Sequence, residues 1–186
     1  PNPAQRLEGC INDVFTMSAV LQDCGFPPDT IRTCLDGRAT TQGILSRLKW
    51  LLDDPKPGDE LIFYYSGHGA PDVAGSEAFL LPHDGNPNFP ANTGYPLQQL
   101  YTNLGSLKAR QVTIFLDSCF SGGTRANEIL LAGAKPVFIS PELPSVAANV
   151  SVFSAASGSQ IASSYPDMQH GLFSYYLMKG LRGEAD

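Results

Sequence analysis

LIFYYSGHG, residues 61–69, decides how the rest of the chain is read. Its first six residues are aliphatic, aromatic or small without clean alternation, the pattern of a strand covered on both faces and set deep in a sheet. The run then ends in His68 held between Gly67 and Gly69. Two glycines cost chain entropy that a histidine serving only to pack would not require. The second stretch of the same grammar is QVTIFLDSCFSGG, residues 111–123, an apolar strand followed by Cys119 and a flexible SGG. If the two strands are parallel neighbours, His68 and Cys119 emerge together at the carboxyl ends of the strands, where open α/β sheets gather their chemistry.

Working outward, helices and strands alternate. Ile11, Val14, Phe15 and Leu21 recur at helical spacing through CINDVFTMSAVLQDCG, with Gly25 at the stop. TIRTCL (30–35) reads as a short strand, and Thr40 as the cap of a helix with Ile44, Leu45, Leu48, Leu51 and Leu52 on its apolar face. Residues 70–96 are loop-rich with a short hairpin. A helix starting near Pro96 carries Leu97, Leu100, Tyr101 and Leu104, VSVFSA (150–155) is a further strand, and the last helix presents Phe173, Tyr176, Leu177 and Leu181. This alternation predicts an α/β fold with a mostly parallel sheet and helices on both faces.

At 186 residues the chain fits a single domain. Twelve Lys and Arg against eighteen Asp and Glu give a net charge of -6, and no basic cluster is present, which argues against a nucleic-acid partner. No run of about 18 apolar residues could span a bilayer, so no membrane role is expected. Cys10, Cys24, Cys34 and Cys119 lack the close spacing of a zinc or redox motif. They read as thiols of a reducing, cytoplasmic compartment. The first three read as small buried hydrophobes, and Cys119 as the one whose surroundings can expose it. His83 and His170 lie in loop-like sequence and read as surface residues; three scattered histidines offer no metal site.

A thiol needs ionisation or a base to become a strong nucleophile, and imidazole is the usual base near neutral pH. The segments YYSGHG and FLDSCFSGG resemble the histidine and cysteine motifs of the caspase-like cysteine peptidases. The similarity is greatest to the metacaspase and orthocaspase branch of bacteria and lower eukaryotes. His68 and Cys119 stand 51 positions apart, matching the interval of about 50 noted for caspases. LEGCINDV, SGSQIASS and HGLFSYYL extend the likeness along most of the chain.

The resemblance implies a caspase-like three-layer α/β/α fold and a cysteine endopeptidase. Cys119 would be the nucleophile and His68 the acid/base, with an oxyanion hole from the backbone N–H groups of Gly69 and Cys119. It implies an acidic pocket formed by Asp13 and Asp117, selecting a peptide or protein substrate with Arg or Lys at the cleaved position. A QACRG-like motif, carried by caspases that cut after aspartate, is absent. SGSQIASSY offers Gln160 and Ser164 where some relatives carry a third acid, so Arg against Lys stays open. Some relatives need calcium; Asp72 and Asp84 form no calcium loop here, and no metal or other cofactor is expected.

The same likeness divides residues 1–186 into a large-subunit-like part (1–121), a linker (122–149) and a small-subunit-like part (150–186). Arg125 and Lys135 in the linker are candidate self-cleavage points. The family's opening strand has no counterpart in this sequence, which reads as truncated at both ends, and a separate segment or chain would supply that strand. The alternative is a catalytically silent caspase-like interaction module. A serine hydrolase lacks its G-x-S-x-G elbow, and a nucleotide-binding domain its glycine fingerprints.

Overall fold

In the computed structural model the described residues are 7–53, 55–72, 77–120, 148–156 and 162–184. The chain runs through α1 (Glu8–Asp23), α2 (Thr41–Leu52), β1 (Glu60–Ser66), β2 (Gly69–Pro71), β3 (Ala78–Leu80) and a helical turn α3 (Pro90–Thr93). It continues through β4 (Tyr95–Pro96), α4 (Leu97–Gly105), β5 (Gln111–Asp117), β6 (Val150–Ser154), β7 (Ser164–Tyr165), β8 (His170–Gly171) and α5 (Leu172–Lys179). The principal sheet has the order β1-β5-β6, and both of its pairings are parallel. β2, β3 and β4 form a small antiparallel sheet beside it, which is the hairpin expected between His68 and Pro96.

Strand periodicity sorts the sheet into two faces. Leu61, Phe63 and Tyr65 of β1 and Val112, Ile114 and Leu116 of β5 pack with Leu48 of α2 and with Leu97, Leu100 and Leu104 of α4. Tyr64, on the opposite face, packs with Met17 and Val20 of α1 and with Leu177 and Met178 of α5. The result is helix, sheet, helix, as expected. Thr40 caps α2 by accepting from the Gly43 N–H at 3.1 Å. The backbone amide of Thr41 is met at 2.7 Å by a carboxylate oxygen of Asp84, so this aspartate serves the helix terminus.

Three expectations about elements are corrected. TIRTCL is no strand: Pro28–Thr30 is a 3-10 turn, and the following residues are extended without a ladder. Extended backbone becomes a strand only beside a hydrogen-bonding partner, and none of the described residues supplies one there. β1 is not deep in the sheet but at its edge among the described residues, with Leu61 to Ser66 only half-buried. Between that edge and residues 30–36 lies a cavity of about 1200 Å³, walled by Ile11 and Val14 of α1 and by Ile44 and Leu51 of α2. Lastly, the fully buried residues of α5 are Ser174 and Met178; of the predicted face, Leu177 packs partly buried beside them, while Tyr176 is 58% exposed.

Candidate active site

The parallel register of β1 and β5 pairs Ser66 with Asp117 at their last residues. His68 and Cys119, each two residues further on, therefore leave the sheet at the same end. Gly67 continues the contact by donating its N–H to the Asp117 carbonyl at 3.2 Å.

At each of the two glycines around His68 a Cβ would overlap a neighbour. A Cβ on Gly67 would sit 2.6 Å from the Tyr65 hydroxyl, and one on Gly69 would sit 2.6 Å from the Cys119 carbonyl oxygen and from the Phe120 ring. The Tyr65 hydroxyl lies 2.8 Å from the carbonyl oxygens of both His68 and Leu81, which share its one proton, and the Leu81 N–H donates to the His68 carbonyl at 2.9 Å. The β2–β3 ladder thus bonds at His68 with Leu81 and again at Asp72 with Glu77. Alternation in an antiparallel ladder makes Gly69 with Leu80 a non-bonded pair, which turns the Gly69 N–H out of the ladder.

Burial of the cysteines inverts the expectation. Cys119 is the buried one, at 4% exposure, whereas Cys24 is exposed and Cys10 and Cys34 are partly so. Ala156 and Ala162 pack over Cys119, and the Ala162 N–H points at Sγ from 2.7 Å. No disulfide joins the four cysteines.

Asp13 and Asp117 are both completely buried at the same end of the sheet. Asp13 Oδ1 meets His170 Nδ1 at 2.8 Å and the Gly171 N–H at 3.1 Å, while Oδ2 accepts from the Ser66 hydroxyl at 2.7 Å. Asp117 Oδ2 accepts from the Ser174 N–H at 3.2 Å and from the Ser174 hydroxyl. That donation leaves the Ser174 oxygen to accept from the Tyr64 hydroxyl at 2.6 Å. Burial, then the Asp13 carboxylate, and in smaller measure Asp117, push the Tyr64 phenol far above its ordinary range, so it remains a donor. The two aspartates thus share one polar wall.

Sequence reasoning missed Ser66, Tyr64, Ser174 and His170 in that wall. His170 is not a surface residue: its side chain is 16% exposed and faces Asp13. Ser174 had a signal, a small hydroxyl one helical turn from Met178 in an otherwise apolar helix; His170 had none, because its partner lies 157 positions away. Asp72 accepts from the Glu77 N–H across its hairpin. No group of three His, Cys, Asp or Glu suited to a metal occurs among the described residues. Arg125, Lys135 and Gln160 lie outside the described residues.

A family model described as the caspase domain matches residues 2–186. Metacaspase-1 of Schizosaccharomyces pombe is 33% identical over 139 residues, 66% of this chain and 32% of that protein. Metacaspase-7 of Arabidopsis thaliana is 32% identical over 137 residues, again 66% of this chain and 32% of the relative. The chain therefore spans about a third of the length of these curated relatives. The crystal structure of protein GSU0716 from Geobacter sulfurreducens superposes with a TM-score of 0.63 over 94% of this chain and 73% of that one, at 20% identity. That likeness concerns the fold.

Proposed function

Because the chain belongs to the caspase-domain peptidase family, we propose that it is a cysteine endopeptidase that cuts after Arg or Lys with Cys119 and His68 as its dyad. His68 takes the Cys119 thiol proton as Sγ attacks the scissile carbonyl carbon, forming the S–C bond, and the carbonyl oxygen takes the negative charge. The N–H groups of Gly69 and Cys119 receive that oxyanion. His68 delivers a proton to the leaving amine as the C–N bond breaks, then takes one from the water that hydrolyses the thioester. The observation that carries this reading is the register of β1 on β5, which brings the residues after Ser66 and Asp117 to one sheet end, with Gly69 against the Cys119 carbonyl.

The buried acids support the preference for a basic residue. Two carboxylates on one wall, Asp13 and Asp117, are an environment that favours a guanidinium or ammonium and rejects a carboxylate. The relatives' names, metacaspases, agree with a peptidase of this branch.

The test is a set of fluorogenic peptides ending in arginine, lysine and aspartate, assayed on the chain and on Cys119→Ala. Release after arginine or lysine that vanishes in the variant is the expected result. Equal background from both proteins would overturn the enzyme reading in favour of a binding module, and release after aspartate would overturn the pocket.

We infer a partner as well. The edge of β1, which no described residue pairs, and the largely apolar cavity beside it suit an apolar extended segment, from elsewhere in the protein or from another chain, added to the sheet as a strand.

A further inference from the structure

A peptidase takes its substrate as an extended strand, so a folded chain is cut where its backbone is exposed and held by neither helix nor ladder. Residues 31–35 meet that condition. The backbone is extended at Ile31 and at Leu35, and between them the chain belongs to no helix, turn or ladder. Arg32 and Thr33 are both exposed. Among the described residues, nothing hydrogen-bonds the Arg32 carbonyl or the Thr33 N–H, the two halves of the peptide bond that joins them. The other described basic residues fail the condition. Arg47 and Lys49 lie in α2, Lys179 in α5 and Arg182 in the helical segment Gly180–Glu184. Arg38 closes a 3-10 turn, and its carbonyl is met by the Cys34 thiol at 3.1 Å. Lys56 precedes Pro57, whose ring removes the N–H of the bond. After Lys108, Ala109 is buried and its carbonyl accepts from the Asn149 amide at 2.6 Å, and Arg110 leads into β5 with its N–H on the Asp59 carbonyl.

Resting on the proposed preference for Arg or Lys, we propose that the Arg32–Thr33 bond is a processing site, cut by a second copy of this chain. The Arg32 guanidinium donates to the Asp29 carbonyl at 2.6 Å and lies 4.7 Å over the Trp50 ring, both at an exposed surface. An acidic pocket replaces such contacts with charge-assisted ones. Cys119 of the second copy attacks the Arg32 carbonyl carbon, and the C–N bond to Thr33 breaks as the departing amine takes a proton. Water then hydrolyses the thioester, leaving a carboxylate on Arg32 and restoring the thiol. The product is two chains in one fold. Met17 and Val20 keep α1 docked against α5, while the cut opens the wall that Arg32 and Thr33 contribute to the cavity beside β1.

The experiment mixes the active chain with isotope-labelled Cys119→Ala, which can be cut but cannot cut, and adds a fluorogenic peptide ending in arginine to the same tube. Mass spectrometry follows the labelled chain. A fragment beginning at Thr33 should appear ahead of any beginning at Ala39, Ala109 or Gln111, and it should be lost when the labelled chain is Cys119→Ala/Arg32→Gln. Release from the peptide without the Thr33 fragment overturns the processing site and leaves the peptidase reading intact. A Thr33 fragment that survives Arg32→Gln, or that trails the other three, overturns the site as well, because the cut then follows neither the arginine nor the extended backbone. Cleavage of neither peptide nor chain overturns the peptidase reading and the site with it.

Discussion

At the scale of one residue, contact distance ranks the two glycines that flank His68. A methyl on Gly67 meets the end of the Tyr65 side chain, which can swing aside, whereas a methyl on Gly69 meets the Cys119 backbone oxygen at 2.6 Å. Gly69→Ala is therefore expected to separate the His68 and Cys119 segments and lower kcat on the order of 10²-fold, the loss typical of a spoiled oxyanion donor. Overpacking should cost it about 1–3 kcal/mol in urea unfolding. Gly67→Ala should lose less in both measurements; the reverse order would refute the close-approach argument. Tyr64 permits a second expectation. Its phenol is raised above the ordinary value of 10, so the folded state holds its proton when the unfolded chain has lost it. The stabilisation is complete below about pH 10 and declines as pH rises toward the folded value. Urea midpoints should fall above that pH in the parent, and Tyr64→Phe should fall less steeply. His68 and Cys119 were legible because each carries a local mark: a strand before it and glycine beside or after it. The partnership of His170 with Asp13 was not, because hydrogen bonds across 157 positions leave no local mark.

Elements show where periodicity succeeds and where chemistry overrides it. In α4 the predicted residues Leu97, Leu100, Tyr101 and Leu104 are the buried ones, since nothing on that helix competes with apolar packing. In α5 the Asp117 carboxylate pulls Ser174 into the core, and the helix turns with it, burying Met178 one turn on and leaving Tyr176 58% exposed. Apolar counting alone picks Tyr176, because it assigns no value to a hydroxyl that satisfies a buried acid. Three substitutions separate the two accounts by urea denaturation. Met178→Ala should cost about 2–5 kcal/mol as a core truncation. Ser174→Ala should cost about 1–3 kcal/mol, because Asp117 loses its hydroxyl donor. Tyr176→Ala should stay within about 0.5 kcal/mol, as surface changes do. A large loss at Tyr176 with none at Ser174 would restore the face read from the sequence. The fate of TIRTCL has the same logic: the residues are strand-forming, but a ladder needs a second chain segment, and propensity cannot report whether one is there.

For the whole molecule the question is what meets the edge of β1 at which the sheet stops among the described residues. That strand is paired by β5 on one side, while its other side faces a cavity of about 1200 Å³. The volume exceeds the roughly 300–1,000 Å³ of small-molecule sites, and the walls from α1, α2 and β1 are largely apolar. A polypeptide strand meets both requirements, offering backbone groups to the β1 edge and side chains to each helix layer. Fusing a six-residue Val/Ile-rich segment ahead of α1 through a short linker should raise the urea midpoint, because aliphatic burial and pairing at the β1 edge both favour the completed sheet. It should also slow amide exchange along Leu61 to Tyr65. The same fusion with proline at alternate positions cannot pair and should do neither. Protection that fails to appear at β1 in the Val/Ile fusion, or that appears equally with the proline version, would mean that the cavity does not receive a strand.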